Sequence, residues 1–431
     1  MSSPTSPGRP RPARQAGGYR EVLSNRRYLA LWLAQAGADL GDAVARMAII
    51  IFVTEKTKDP LAVSTVFAIQ LLPMVLFAPF TGVLVDRWDK KKVMVLADLV
   101  RSVLLLAAAA ATSLGQIYAL SFLVVLAGQF FNPARATAVP EVVGREHYMS
   151  AVALSQMTFQ LVQLVGPALG GALAGTLGTR AAFLLNAATF LLSAAIIWSV
   201  RFPPLPVKRE RTTLAAVGSD FREGLSFLWG TPALRFLVVS FGVIVLGIGF
   251  FNVLYVDYTR NVLGATPGQF GLLESLWAAG TIVGVAVVGQ VAAALPKGKA
   301  IFGSIGVVGL LMSAFFFRPG LVGVGVLGTL AGFATAFLNV PANTLLILLT
   351  PVEKRGRVTG VVNSLVNVSS LVGLAGSGAV AAAVGSAVGL GLAGLFVAAV
   401  AVVAVLLPGF RELEAVDRRL REETLTGPVR G

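Results

Sequence analysis

Three ionisable residues share one long apolar stretch near the amino end. Asp39, Asp42 and Arg46 sit within LWLAQAGADLGDAVARMAIIIFV. Their i, i+3, i+7 spacing places them on one face of a helix. Charged groups inside such a segment are costly and by default point to function. Two chemistries suit the trio: an internal ion pair that joins helices, or a site for a proton or a substrate cation. Glu274 is the one acid well inside an apolar segment of the second half. It sits about six residues, roughly 9 Å at the helical rise, from the segment's outer end. An outer gate or a proton-titrating group would use it there, and so would a satisfied interhelical bond. Amides form stripes at helical spacing: Gln156, Gln160 and Gln163; Asn339 and Asn343; Asn363, Asn367 and Ser370. Gln70 and Asn252 stand singly. Such stripes either line a wet cavity or bond between helices. Asp98 and Arg101, at i, i+3, read most simply as a salt bridge.

The elements that position these groups follow from composition. The chain is 56% hydrophobic and 13% charged, with 431 residues and a mean hydropathy of +0.80. Soluble domains run at about 45–50% apolar and about 25% charged. The chain therefore reads as an all-α, multi-pass membrane protein. Twelve helices are expected near 28–53, 61–85, 93–113, 116–135, 149–174, 181–200, 234–257, 268–294, 300–317, 321–348, 357–384 and 386–407. Residues 1–20, rich in Pro, Gly, Ser and Arg, read as a disordered basic tail with too few large apolar residues to pack. Residues 21–200 and 231–410 form two six-helix halves, 201–230 a linker and 411–431 a second tail. With the amino terminus inside, 28 Lys and Arg lie on the inner side and five on the outer. That asymmetry predicts both ends in the cytoplasm of a cell whose plasma membrane holds the chain. It also accounts for the net charge of +14 as topology rather than nucleic-acid binding. FFNPARATAVPEVVGREHYMSAVALS (130–155) parallels FLNVPANTLLILLTPVEKRGRVTGVVNS (337–364), so the halves are pseudo-symmetric. With no Cys and the single His147, no metal cage is expected. No phosphate-binding GxxxxGK[ST] loop and no nucleophile motif appear, so neither direct ATP drive nor an enzyme is expected. No cofactor is expected either; a proton gradient is the suspected energy source. The partners are a small-molecule substrate and the bilayer, and the chain reads as a monomer.

One loop carries a sharper pattern. PFTGVLVDRWDKKK joins two apolar runs. Gly82 permits close helix approach. Asp86 ends its helix where the dipole disfavours an acid, so it needs Arg87 or another helix's amino end as a partner. Gly82, Asp86, Arg87, Lys90 and Lys91 resemble the signature loop G-x-x-x-D-R-x-x-[RK]-[RK] of the major facilitator superfamily of transporters. The second half has the basic counterpart PKGK (296–299) without the Asp-Arg pair. GPALGG, with Gly166, Pro167, Gly170 and Gly171, resembles the GPxxGG core found in proton-coupled antiporters of that superfamily. Val162 stands where those usually carry an earlier glycine. GDLGDA, LLPMVLFAPFTGVLVDR, NPAR and VPEVV together resemble the drug-efflux branch, which includes macrolide and siderophore exporters. The resemblance implies twelve helices in two bundles around a cavity open to one side at a time. It implies a signature loop that latches the inner side in the outward-open state. Asp39 and Asp42, with Arg46, Glu274 and the amides behind them, are then the candidates for coupling and substrate binding. An acid that exchanges protons must change protonation between the two states, and burial raises carboxyl pKa values enough to allow it.

Overall fold

The computed structural model describes residues 18–85, 87–144, 146–202, 214–291 and 295–426. Most of the expected amino tail, Asp86 and the PPLP and KRER stretches of the linker lie outside them. The helices are α1 (Gly18–Ser24), α2 (Arg26–Lys56), α3 (Pro60–Val85), α4 (Lys90–Ala110), α5 (Leu114–Val143), α6 (Tyr148–Leu177) and α7 (Thr179–Ser199). There follow α8 (Leu214–Gly230), α9 (Pro232–Asp257), α10 (Pro267–Val291), α11 (Lys297–Ser313) and α12 (Leu321–Leu348). The last three are α13 (Arg355–Val384), α14 (Ser386–Leu406) and α15 (Pro408–Thr426). Among the described residues, eleven of these helices are long and apolar enough to cross a membrane. The twelfth spanning helix is α2. Its 31 residues reach about 46 Å, and its three central charges set it apart from the rest.

The two bundles repeat one packing scheme. In the first, α2 packs on α6 and α7, α4 on α5 and α7, and α3 on α5. In the second, α9 packs on α13 and α14, α11 on α12 and α14, and α10 on α12. A single glycine joins α6 to α7 and α13 to α14. Gly178 and Gly385 hold φ of +81° and +77°, a left-handed backbone that favours residues without a Cβ. The bundles meet where α6 faces α10 and α3 faces α13.

Local chemistry sets the helix ends. The Asn25 side chain caps α2 by accepting from the Arg27 and Tyr28 amides, and donates to the Val142 carbonyl at the end of α5, 2.8 Å away. Ser113 and Gln116 form a reciprocal capping box on α5. That helix runs on to Val143, past the end expected near 135, with Pro133 and Pro140 inside it. Membrane-buried helices tolerate proline, and the Thr137 hydroxyl adds a local bond to the Pro133 carbonyl at 3.1 Å.

Three expected irregular stretches contain helix. The tail expected over 1–20 gives way to α1 at Gly18, with Val22 buried. The linker holds α8, whose Leu228 packs with Val238 and Val361. Its Asp220 and Glu223 take Arg357 of α13 at 2.7 and 2.5 Å. The carboxyl tail is the amphipathic α15, anchored by buried Phe410 and Leu413. Asp417 of α15 is buried, accepts from the Lys297 backbone amide at 2.9 Å and pairs with the Lys297 ammonium at 3.2 Å. The low hydropathy that made both stretches read as loops reflects helices that bury only one face.

Candidate functional site

The loop between α3 and α4 is a cluster of helix caps. Asp89 is the N-cap of α4, accepting from the Lys91 and Lys92 amides at 2.9 and 3.1 Å. Lys90 is buried, and its ammonium donates to the Val85 carbonyl at 2.6 Å, closing the carboxyl end of α3. Lys91 reaches the Trp198 carbonyl at the end of α7, also at 2.6 Å, and lies over the Trp198 ring. Arg87 is exposed, and the side chain of Gly82's partner in the motif, Asp86, lies outside the described residues. Two of the four basic residues therefore hold helix ends. This end of the molecule, which also carries Lys354, Arg355 and Arg357, is called the basic end below.

Every cross-bundle hydrogen bond and ion pair found among the described residues lies toward the opposite end. The Ala168 amide of α6 donates to the Ser275 hydroxyl of α10 at 3.1 Å. Arg260, in a π-helical turn (Tyr258–Val262) after α9, donates to the Thr54 hydroxyl of α2 at 3.4 Å and pairs with Glu55 at 3.6 Å. One apolar cluster spans both bundles there, joining Ile51 and Val66 to Leu254, Phe270 and Leu374. At the basic end the clusters stay within single bundles. GPALGG belongs to the closed end. A Cβ on Gly166 or Gly170 would meet Ala43, Val44 or Met47 of α2. One on Gly171 would meet the Pro267 carbonyl and Gly271 of α10, and Gly271 in turn faces the Pro167 carbonyl. The motif thus presses α6 against its own bundle and the other at once.

Between the bundles lie two adjoining pockets of about 540 and 320 Å³, within the usual size of small-molecule sites, about 300–1,000 Å³. They share Arg46, Phe67, Phe159, Gln163 and Asn252. The larger holds Asp39, Asp42, Gln70, Arg101, Asn186 and Ser370. The smaller holds Gln160, Tyr255, Glu274 and Trp277.

The charges in these pockets are treated very differently. Asp42 accepts from Arg101 of α4 at 2.5 Å and from the Asn186 amide of α7 at 3.1 Å. Arg101 also approaches Asp98 at 3.7 Å and stacks over Phe190, 3.7 Å from its centroid. Asp98, fully buried, accepts from the Ser193 hydroxyl at 2.6 Å. This is a tied network across α2, α4 and α7. Among the described residues Asp39 has one hydrogen-bond partner, the Gln35 amide of its own helix, at 2.5 Å. Arg46 and Glu274 line the same pocket. They form no ion pair with each other, and neither makes another hydrogen bond or ion pair among the described residues.

The expected site residues therefore divide. Asp39, Asp42, Arg46 and Asn252 meet in the larger pocket, and Arg46, Gln160, Asn252 and Glu274 in the smaller. Gln156, Asn339 and Asn363 are exposed and contribute to neither. Arg101 is not confined to a local bridge with Asp98, because its shorter bond crosses to Asp42. Tyr255 and Trp277 escaped the sequence reading. Each lies three residues after a polar pocket residue, Asn252 and Glu274, which is the spacing that would have found them.

Comparison with known proteins agrees with this arrangement. The Major Facilitator Superfamily profile matches residues 31–321 and 237–428. The multidrug efflux pump Tap of Mycolicibacterium fortuitum is 27% identical over 409 residues, covering 90% of this chain and 98% of Tap. Macrolide efflux protein A of Streptococcus pyogenes is 24% identical over 396 residues, covering 90% and 97%. The fold is similar to that of the nucleoside transporter NupG, with a TM-score of 0.69 at 13% identity, covering 89% of this chain and 98% of that one. The chain thus belongs to the Major Facilitator Superfamily and is a multi-pass membrane transporter, not an enzyme.

Proposed function

We propose that this protein is a proton-coupled antiporter that exports an amphipathic, drug- or siderophore-like small molecule across the plasma membrane by alternating access. The observation that carries the reading is the central cavity, closed at one end and lined by intramembrane acids. Asp39, held by a neutral amide, and Glu274, without an ion pair among the described residues, are the acids assigned to proton exchange. Asp42 is assigned to holding α2 against α4 and α7, since Arg101 already neutralises it. The basic end is assigned to the cytoplasm on the positive-inside rule, which makes this the inward-open state. The capped loop around Lys90 and Lys91, with Gly82, Asp86 and Arg87, would meet the other bundle when that end closes. The efflux relatives favour export, and the mixed polar and apolar lining suits an amphipathic cargo.

The test is efflux of a panel of amphipathic drugs and siderophores from cells expressing the full chain, with and without a protonophore. Wild type runs beside Asp39→Asn and Glu274→Gln. Efflux that is lost with the protonophore and in either variant supports the assignment. Flux that is independent of energy and equal in both directions would replace antiport by facilitated diffusion. Protonophore-sensitive efflux that survives both substitutions would remove these two acids from the coupling step.

A further inference from the structure

A second recess lies between α4 and α5, with a volume of about 450 Å³. Its α4 wall runs from Val93 to Leu104 and its α5 wall from Phe130 to Leu123. Val124, Gly128 and Asn132 of α5 line the larger central pocket instead, and the helical period puts them on the opposite side of that helix. The recess thus opens away from the transport route. Every side chain lining it is aliphatic or aromatic. Leu96, Val100 and Leu123 are exposed along its rim, so for spanning helices its contents come from the lipid.

Its dimensions select the occupant. Val93 and Leu104 are eleven positions apart, about 16 Å at the helical rise. The hydrocarbon core of a bilayer is about 30 Å thick. The groove begins at the signature loop, beside Trp88, and so reaches the depth of one leaflet. A second spanning helix needs cover across the whole core, and the groove offers it half. A single acyl chain fits along its length. Trp88 closes the head of the groove by stacking on Phe130, with centroids 6.2 Å apart and planes at 21°. Tryptophan is enriched at the membrane–water interface, which is the depth of a lipid headgroup. The charge at this level is positive. Lys92 is exposed and stands one turn before Leu96, at i, i+4, on the same face of α4. Arg87, next to Trp88, is also exposed. A hydrocarbon slot one leaflet deep, headed by an interfacial tryptophan and a lysine, is complementary to an anionic lipid.

We infer that the groove between α4 and α5 is a site for one anionic glycerophospholipid, with an acyl chain along Val93 to Leu104 and the phosphate beside Lys92. The leaflet this names, the inner one, rests on the orientation proposed above; the groove and its lysine do not.

The test is native mass spectrometry of the purified full chain in detergent, titrated with phosphatidylglycerol or with phosphatidylcholine of the same chains. One phosphatidylglycerol is expected to bind more tightly than phosphatidylcholine, since one basic side chain at an anionic interface is worth about fivefold. Lys92→Gln should remove that preference and leave phosphatidylcholine unchanged. Val100→Trp, at the exposed rim, fills the slot and should weaken both lipids at least about tenfold, the worth of two displaced methylenes. Val103→Trp, exposed on α4 but outside the groove, is the control and should change neither. Melting midpoints equal to wild type in lipid-free detergent show that each variant keeps the fold. Equal loss in Val100→Trp and Val103→Trp, a lipid count that rises without saturating at one, or equal affinity of wild type for the two headgroups would overturn the site. So would a dimer in detergent that is lost in Val100→Trp, which would give the groove to a second copy of the chain. Binding is read without transport, so a chain that binds the lipid and exports nothing refutes the export reading alone. An exporter that binds no lipid refutes this site alone.

Discussion

Arg101 should matter more to the integrity of the first bundle than any other charged side chain in the cavity. It is largely buried, makes a 2.5 Å bond to Asp42, approaches Asp98 at 3.7 Å and lies 3.7 Å over Phe190. Arg101→Ala would leave two carboxylates in one buried site with no cation between them. Removing one partner of a buried pair costs about 3–5 kcal/mol, and the desolvated ring contact adds up to about 2 kcal/mol. Asp39→Asn is the matched control, since the neutral amide can still accept from Gln35 and the expected loss is below about 1 kcal/mol. The assay is the apparent melting midpoint of each variant in one detergent, followed by tryptophan fluorescence. Arg101→Ala should fall by roughly 10 °C, Asp42→Asn by less, and Asp39→Asn hardly at all. Pairing Asp42→Asn with Arg101→Gln should restore part of the loss, because the double variant leaves fewer uncompensated charges. Equal midpoints for Arg101→Ala and Asp39→Asn would refute the network as a structural tie and return Asp42 to the exchangeable acids.

Further outcomes test other parts of the arrangement. Gly271→Leu places a side chain against the Pro167 carbonyl, so α6 and α10 cannot close. The expected result is increased access of membrane-impermeant reagents at the Arg260 end and loss of transport. Arg260→Ala removes the contacts to Thr54 and Glu55; Glu55 is half-exposed, so the cost is about 1 kcal/mol or less, read as a several-fold shift toward the outward-open population in distance measurements between spin labels. Asp417→Ala leaves Lys297 and the first turn of α11 without their acid, at about 3 kcal/mol, and should make α15 the first site of limited proteolysis. The chain lacks Cys, so Lys58→Cys and Glu353→Cys can each be labelled alone in intact cells. Only Lys58→Cys should react with an impermeant maleimide; the reverse pattern would invert the assigned orientation.

How much of this was legible in the sequence depended on whether the signal was local. Helix number and approximate ends follow from apolar runs, and twelve spans appear close to where hydropathy puts them. The failures are instructive. Pro133 and Pro140 suggest a helix end to local rules, yet α5 continues to Val143. α8 and α15 are too polar to read as spans and are helical because one face docks on α13 or α11. In the site, the i, i+3, i+7 pattern correctly placed Asp39, Asp42 and Arg46 on one side of α2. It could not say which acid was already neutralised, because the answer is Arg101, 59 positions away. Nor could it place Arg46 and Glu274, from different bundles, on the lining of one pocket.

The two loops that join α3 to α4 and α10 to α11 show what the pseudo-symmetry preserves and what it releases. In the first, Asp89 caps the incoming helix and Lys90 closes the outgoing one, all from within the loop. In the second, the sequence PKGK carries no acid, and Pro296 at the N-cap of α11 has no side chain to bond with. The missing acceptor comes instead from Asp417, 120 residues later, on α15. An orphan amide at a buried helix start needs a partner wherever it can be found. The first bundle thus closes its loop with the loop's own side chains, Lys91 reaching the end of α7 in the same bundle. The second bundle has its loop strapped by α15 and so fixed to its own body. If both loops moved alike in the transport cycle, Asp417→Ala would impair transport in proportion to transport loss at Asp89→Ala. The strapped geometry instead implies that Asp417→Ala lowers stability while Asp89→Ala lowers the rate of switching at nearly unchanged substrate affinity. A common effect of the two substitutions on switching rate would show that α15 travels with the gate rather than anchoring it.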